Sequence, residues 1–323
     1  MALTDISYDQ LVAYQADVPE PEDFDTFWRN TLEESRSHAA EPLITDASGP
    51  FRHVTIEDMT FRGYLGDPIR AWVVKPRNVD GPLPTIVEFI GYNGGRGVIG
   101  EKLFWAAVGY IHVVMDTRGQ GSGWGTGGDT ADPHGAGPAS TGFMTRGVLS
   151  PHDYYYRRLY TDAVMLLETV AQLPQVDRTR ISVTGTSQGG GVAVAAAALS
   201  DLPATLMPDV PYLADFRRSV TQTPLPPYTE IVRYLAVHRG AADHVFRTLA
   251  YFDGVNFAKR ISSPALYSVA LMDDVVLPST VFASYNALKS ADKRIEVYEF
   301  NGHEGGQAAQ LLIQAEWLAE REK

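Results

Sequence analysis

The 323-residue chain reads as an α/β protein with a mostly parallel central sheet and helices on both of its faces. Three observations predict this. Short apolar runs such as Thr85–Ile90 and Tyr110–Met115 lack polar alternation, as strands do when both faces are covered. Segments of helical pattern alternate with those runs, which gives the repeated strand–helix units of a parallel sheet. The stretch Arg180–Ala198 passes from a β-branched strand through a glycine-rich turn straight into an alanine-rich helix. Hydrophobic residues make up 45% of the chain and aromatic residues 11%, enough for one large core, so residues 1–323 are expected to form a single domain.

Residues 1–50 are expected to be an N-terminal helical extension, with Phe24, Phe27, Trp28 and Leu32 on one helical face turned to the main body. Val54–Arg62 and Ile69–Lys75 alternate as two antiparallel strands joined by Gly63–Asp67. Thr85–Ile90 is the first buried strand, Leu103–Val108 a helix and Tyr110–Met115 the next strand. Residues 117–150 form a long glycine-rich loop, a length usually associated with function or an interface. Tyr154–Leu173 is a helix stopped by Pro174, and Thr205–Val210 a short strand after the glycine-rich turn. Residues 211–262 are helical and aromatic, with Phe216, Tyr228, Tyr234, Phe246, Tyr251, Phe252 and Phe257, and read as an insertion. Ala265–Leu271 and Ile295–Phe300 resume the sheet, followed by helices Ser279–Lys289 and Gly306–Arg321.

Several function classes are disfavoured. A net charge of −12 argues against nucleic-acid or anionic-membrane partners, whose phosphates would be repelled. With no cysteine there is no disulfide, thiolate metal site or catalytic thiol, and neither a metal nor a cofactor is expected. The first residues lack a basic region followed by an apolar core, and no apolar run approaches the roughly 20 residues of a membrane span. A cytoplasmic protein is expected.

The chemistry is concentrated at Gly185-Thr-Ser187-Gln-Gly189, a G-x-S-x-G turn between strand and helix. This is the nucleophile elbow of the α/β-hydrolase fold, in which a tight turn lifts a serine hydroxyl above the strand end. Glycine stands on either side, at Gly185 and Gly189, because the turn leaves no room for side chains there. A serine needs a general base, and His303 follows the final strand on the glycine-rich loop Phe300-Asn-Gly-His-Glu-Gly-Gly306. The acid belongs between them in chain order, at a strand end, where Asp273 and Asp274 compete. Asp273 is favoured as the strand-terminal residue, and Asp274 is left to cap the next turn or helix. The remaining histidines, including His112, His134, His152, His238 and His244, read as core or surface residues.

An oxyanion hole needs two amide donors. The Gln188 N–H follows the nucleophile directly, and the loop Gly91-Tyr92-Asn93-Gly94-Gly95-Arg96-Gly97 offers the Tyr92 N–H. Gly95-Arg-Gly97-Val-Ile-Gly100 with Asp116 also imitates a dinucleotide fingerprint, but the same sheet edge is already occupied by the serine constellation. Arg118 reads as a buried anchor, and Gly119 and Gln120 beside it as structural support.

At these residues the chain resembles the acetyl xylan esterase and cephalosporin C deacetylase family, carbohydrate esterase family seven. The resemblance rests on Gly91–Gly97, Met115-Asp-Thr-Arg118-Gly-Gln-Gly121, Gly142-Phe-Met-Thr-Arg-Gly147, Tyr154-Tyr-Tyr-Arg-Arg158, Gly185–Gly191, Tyr251-Phe-Asp-Gly-Val-Asn-Phe257, Pro278-Ser-Thr-Val-Phe-Ala283 and Gly302-His-Glu304. It implies an α/β-hydrolase that removes acetyl groups from sugar hydroxyls and small acetate esters, cephalosporin C included. It further implies Ser187, His303 and Asp273 as nucleophile, base and acid, with Tyr92 and Gln188 as the oxyanion hole. A homo-hexamer acting on a small acetylated substrate is the implied assembly. Thr186 stands where glycine is frequent and Leu277 where proline is frequent, departures that bear on substrate preference rather than reaction type. The alternatives are another acyl hydrolase on the same scaffold, a peptidase or lipase-like esterase, or a non-enzymatic oligomeric binding protein.

Overall fold

The structure, a computed structural model, describes residues 5–79, 81–134, 137 and 142–321. Part of the long loop read over 117–150 therefore lies outside the described residues. In chain order the elements are α1 (Tyr8–Val12), α2 (Phe24–Arg36), β1 (Leu43–Asp46), β2 (Val54–Arg62), β3 (Pro68–Pro76), β4 (Leu83–Phe89), α3 (Phe104–Ala107), β5 (Ile111–Met115) and α4 (Tyr155–Val170). There follow β6 (Val176–Thr186), α5 (Gln188–Leu199), β7 (Pro203–Asp209), α6 (Phe216–Gln222), α7 (Tyr228–Val237), α8 (Ala242–Ala250) and α9 (Gly254–Ala258). The chain closes with β8 (Ala265–Ala270), α10 (Pro278–Ala287), β9 (Lys293–Tyr298) and α11 (Gln307–Arg321).

The strands form one nine-stranded sheet in the order β1-β2-β3-β5-β4-β6-β7-β8-β9. The pairs β1·β2, β2·β3 and β3·β5 are antiparallel, and every pair from β5·β4 to β8·β9 is parallel. Successive strand side chains point to opposite faces, so β4 divides its apolar run between two layers. Ile86 packs with Trp105, Tyr110, Met207, Leu266, Trp317 and Leu318 on the face covered by α3 and α11. Val87 and Phe89 join Val183, Leu159, Val192 and Trp28 in the larger core beneath α2, α4 and α5.

The face expected on α2 is buried at all four positions, Phe24, Phe27, Trp28 and Leu32. The N-terminal segment also reaches into the sheet, which was not expected: Leu43 pairs with Thr60 and Asp46 with Glu57. This edge strand has only four residues, Leu43-Ile-Thr-Asp46, too few to show an alternation by which to read it. The segment is clasped to the far end of the chain. Arg260 binds Glu20 and Asp25 at 2.7 Å each. Arg218 binds Asp5 at 2.6 Å, Tyr14 Oη donates to Asp215 at 2.7 Å and Trp28 Nε1 donates to the Tyr251 carbonyl at 3.0 Å. Residues 211–262 hold α6 to α9, and their Phe216, Tyr228, Tyr234, Phe252 and Phe257 are buried. Among the described residues no helix is long and apolar enough to cross a membrane.

Candidate active site

β6 delivers Ser187 to the carboxyl edge of the sheet, and α5 begins at the next residue. Ser187 has φ +58° and ψ −119°, a left-handed backbone that a non-glycine residue keeps only when its surroundings hold it. They do so here: its N–H donates to the Asp209 carbonyl at 2.9 Å, and its carbonyl accepts from the N–H groups of Tyr212 at 2.9 Å and Gly191 at 3.0 Å. The flanking glycines are sterically required. A Cβ at Gly185 would lie 2.4 Å from the Gly189 carbonyl carbon, and one at Gly189 would lie 2.1 Å from the Phe89 oxygen.

The structure brings Ser187, His303 and Asp273 together. His303 Nε2 lies 3.0 Å from Ser187 Oγ, and His303 Nδ1 lies 2.8 Å from Asp273 Oδ2. Asp273 is buried, and its Oδ1 accepts from the N–H groups of Val275 at 2.9 Å and Val276 at 2.8 Å, which fixes the carboxylate plane. Asp274 makes no hydrogen bond or ion pair among the described residues and stands away from the imidazole pairing. A carboxylate on Nδ1–H leaves Nε2 free of its proton and aimed at the hydroxyl, the geometry of a general base.

The Gln188 and Tyr92 N–H groups have no backbone acceptor among the described residues outside the helices and strands. Gln188 sits at the start of α5, where the helix dipole favours negative charge. The Tyr92 loop is not part of a regular element and is held by side chains from elsewhere. Gln120 Oε1 accepts from the Asn93 N–H at 2.7 Å, and Gln120 Nε2 donates to Gln188 Oε1 at 3.0 Å. Gln188 Nε2 in turn donates to the Ile90 carbonyl at 3.1 Å, and Tyr156 Oη to Gln188 Oε1 at 2.9 Å. Trp124 Nε1 donates to the Tyr92 carbonyl at 2.6 Å, and the indole packs on Gly94, where a Cβ would meet it at 2.4 Å.

Sequence reasoning missed Trp124 and also Glu230, on α7. Tyr92 Oη donates to both Glu230 oxygens, at 2.8 and 2.9 Å. Burial pushes the Glu230 carboxyl above its usual range and the Tyr92 phenol likewise. These partners lie far apart in sequence, and neither residue belongs to a motif that would single it out. Burial also raises the Asp209 carboxyl, to about 7, where it accepts from Ser268 Oγ at 3.0 Å and Gln314 Nε2 at 3.0 and 3.1 Å.

Arg118 is fully buried and paired along two edges of its guanidinium. Its Nε and Nη2 bind Asp162 at 2.6 and 2.7 Å, and its Nη1 binds Asp67 at 2.9 Å and Asp132 at 3.2 Å. Its carbonyl accepts from Tyr155 Oη at 2.6 Å, so the turn through Gly119 (φ +67°) to Gln120 is fixed where it meets the site. Asp116, the acid of the apparent dinucleotide fingerprint, accepts from the N–H groups of Arg96, Thr117, Asp129 and Thr130 and from Thr130 Oγ1, which makes it a loop clamp.

A cavity of about 510 Å³ opens over Ser187 and His303, lined also by Tyr92, Asn93, Trp124, Thr186, Pro226, Pro227, Glu230 and Val275. That volume accommodates a small organic ligand well beyond the size of an acetyl group.

The model of the acetyl xylan esterase (AXE1) family matches residues 1–321. An acetyl xylan esterase from Paenibacillus sp. R4 superposes with a TM-score of 0.90 and 36% identity, over 97% of this chain and 99% of that one. Acetyl xylan esterase 1 from Thermoanaerobacterium sp. JW/SL YS485 does so with a TM-score of 0.86 and 34% identity, over 96% and 98%. The acetyl esterase Axe7A of Xylanibacter ruminicola is 26% identical over 304 residues, 88% of this chain but only 63% of that protein's length. With the α/β-hydrolase sheet and the strand-edge serine in place, these likenesses show that the chain belongs to the acetyl xylan esterase family.

Proposed function

We propose that the chain is a serine carboxylesterase that removes acetyl groups from acetylated xylo-oligosaccharides and small acetate esters, cephalosporin C among them. The observation that carries this reading is the Ser187–His303–Asp273 chain of hydrogen bonds, 3.0 and 2.8 Å long, at the mouth of the cavity. His303 Nε2 takes the proton of Ser187 Oγ as that oxygen attacks the acetyl carbonyl carbon. The carbonyl oxygen, now negative, is met by the N–H groups of Tyr92 and Gln188. His303 then protonates the sugar oxygen, the alcohol leaves, and acetyl-Ser187 remains. Water, deprotonated by the same nitrogen, then attacks the acetyl carbon, and as the bond to Ser187 Oγ breaks His303 returns the proton to that oxygen, releasing acetate and restoring the serine. Asp273 holds the imidazole tautomer and stabilises the imidazolium between steps. Family membership supports acetyl as the acyl group. The same resemblance supports a homo-hexamer, which light scattering on the purified protein would measure.

The acyl chain is the test. Tyr92, Pro226, Pro227 and Val275 wall the cavity beside Ser187. Forcing extra methylenes into a packed wall typically costs about 1–3 kcal/mol, or roughly ten- to two-hundred-fold in kcat/KM. Nitrophenyl acetate, butyrate and octanoate are expected to fall steeply in kcat/KM in that order. A flat or rising series would replace this reading with a lipase-like esterase, and efficient cleavage of an aminoacyl amide would replace it with a peptidase.

A further inference from the structure

We infer that Glu230 is a positioning residue for the oxyanion hole, acting through the Tyr92 phenol to set the Tyr92 backbone N–H. The inference rests on the esterase reading above and extends it to the inserted helices. Glu230 is 7% exposed, on α7, and reaches the site edge. The Tyr92 hydroxyl donates to both of its oxygens and accepts from the Phe143 N–H at 2.6 Å. Glu230 Oε2 also accepts from the Met144 N–H at 3.1 Å. Gly142, at φ +98°, stands so close that a Cβ there would lie 2.0 Å from Glu230 Oε1. Three separate segments thus meet on one phenol–carboxylate pair: the loop after β4, residues 142–144, and the insertion.

The chemistry explains how an acidic residue is accommodated in this place. An isolated buried carboxylate is costly, and this one is compensated by a phenol and a backbone amide. In return it fixes the Tyr92 ring, and the ring's Cα carries the amide that must sit within hydrogen-bonding distance of the developing oxyanion. From the other side the Tyr92 carbonyl is held by Trp124 Nε1 at 2.6 Å. Releasing the ring lets the amide drift, which weakens transition-state binding and leaves ground-state binding of the ester nearly untouched.

Removing an oxyanion donor outright costs on the order of 10²–10³ in kcat, so displacing one is expected to cost roughly ten- to a hundredfold. Glu230→Gln and Tyr92→Phe are each expected to lower kcat on nitrophenyl acetate by that factor with KM changed less than about twofold. The inhibition constant of phenylboronic acid, which forms a tetrahedral adduct on the serine, should rise by the same factor. In the double variant the losses should not multiply, because both remove one interaction. If Glu230→Gln does not fold, Tyr92→Phe decides alone, since it breaks the same bond and keeps the backbone N–H. Wild-type kcat in the folded variants, a loss confined to KM, or losses that multiply would each overturn the inference. Full turnover in Ser187→Ala would instead overturn the esterase reading itself.

Discussion

The two amides proposed for the oxyanion hole are held in different ways. Gln188 is fixed by its neighbours in sequence: the strained turn at Ser187, the start of α5, and the glycines that let β6 and β4 touch the turn. Tyr92 is fixed by side chains that arrive from residues 120, 124 and 230. The first arm is a consequence of backbone geometry and has little freedom to vary. The second is an assembly of long-range contacts, and each contact can be loosened without unfolding the chain. One half of the site is thus set by local stereochemistry and the other by tertiary packing.

Substitutions at the elbow and at the loop put this contrast to the test. The largest effect is expected from Ser187→Ala, which leaves both amides in place and removes the attacking oxygen. A fall in kcat of about 10⁶-fold on nitrophenyl acetate, with an unchanged circular dichroism spectrum, is the expected result. Retained turnover would mean that another nucleophile is at work. Next comes Gly189→Ala, aimed at the local geometry itself. Its Cβ has backbone rather than a pliable side chain at 2.1 Å. A loss of more than about 3 kcal/mol in urea unfolding is expected, and a stability close to that of the parent protein would show that the elbow can yield. The smallest effect belongs to Gln120→Ala. It removes the Asn93 acceptor and the link to Gln188, so a loss of about 1–3 kcal/mol and roughly tenfold in kcat is expected, with the fold kept. A variant as disabled as Ser187→Ala would erase the distinction between the two arms.

Much of the architecture is legible in the sequence, and the reasons are local. β4, β5, β6 and β8 announce themselves as apolar runs because both faces of the inner sheet are covered. The face of α2 follows from the spacing of Phe24, Phe27, Trp28 and Leu32. Ser187, Asp273 and His303 can be singled out because each follows a strand and the strand ends share one edge. The features that stay hidden depend on contacts between distant residues or on exposure. β1 pairs on one side only and is four residues long, too short for Leu43–Asp46 to show an alternation that would mark it as a strand. Glu230 falls within an amphipathic helix where an acid usually faces water, and the phenol that buries it lies 138 residues earlier. Trp124 sits in a glycine-rich loop that has no periodicity from which to infer a partner.

The clasp between the N-terminal segment and the inserted helices also sets an order of events during synthesis. Glu20 and Arg260 are 240 residues apart, and at the usual rate of about 5–20 residues per second this separation takes on the order of 10–50 s to translate. For most of that interval α2 has been made while Tyr251, Phe252, Phe257 and Arg260, against which it packs, do not yet exist. Until then its face of Phe24, Phe27 and Trp28 has only part of its cover, from residues such as His152 and Tyr160. An early-made helix is therefore among the last to complete its packing, and a ribosome that stalls before residue 250 would leave a nascent chain with part of an aromatic stripe uncovered.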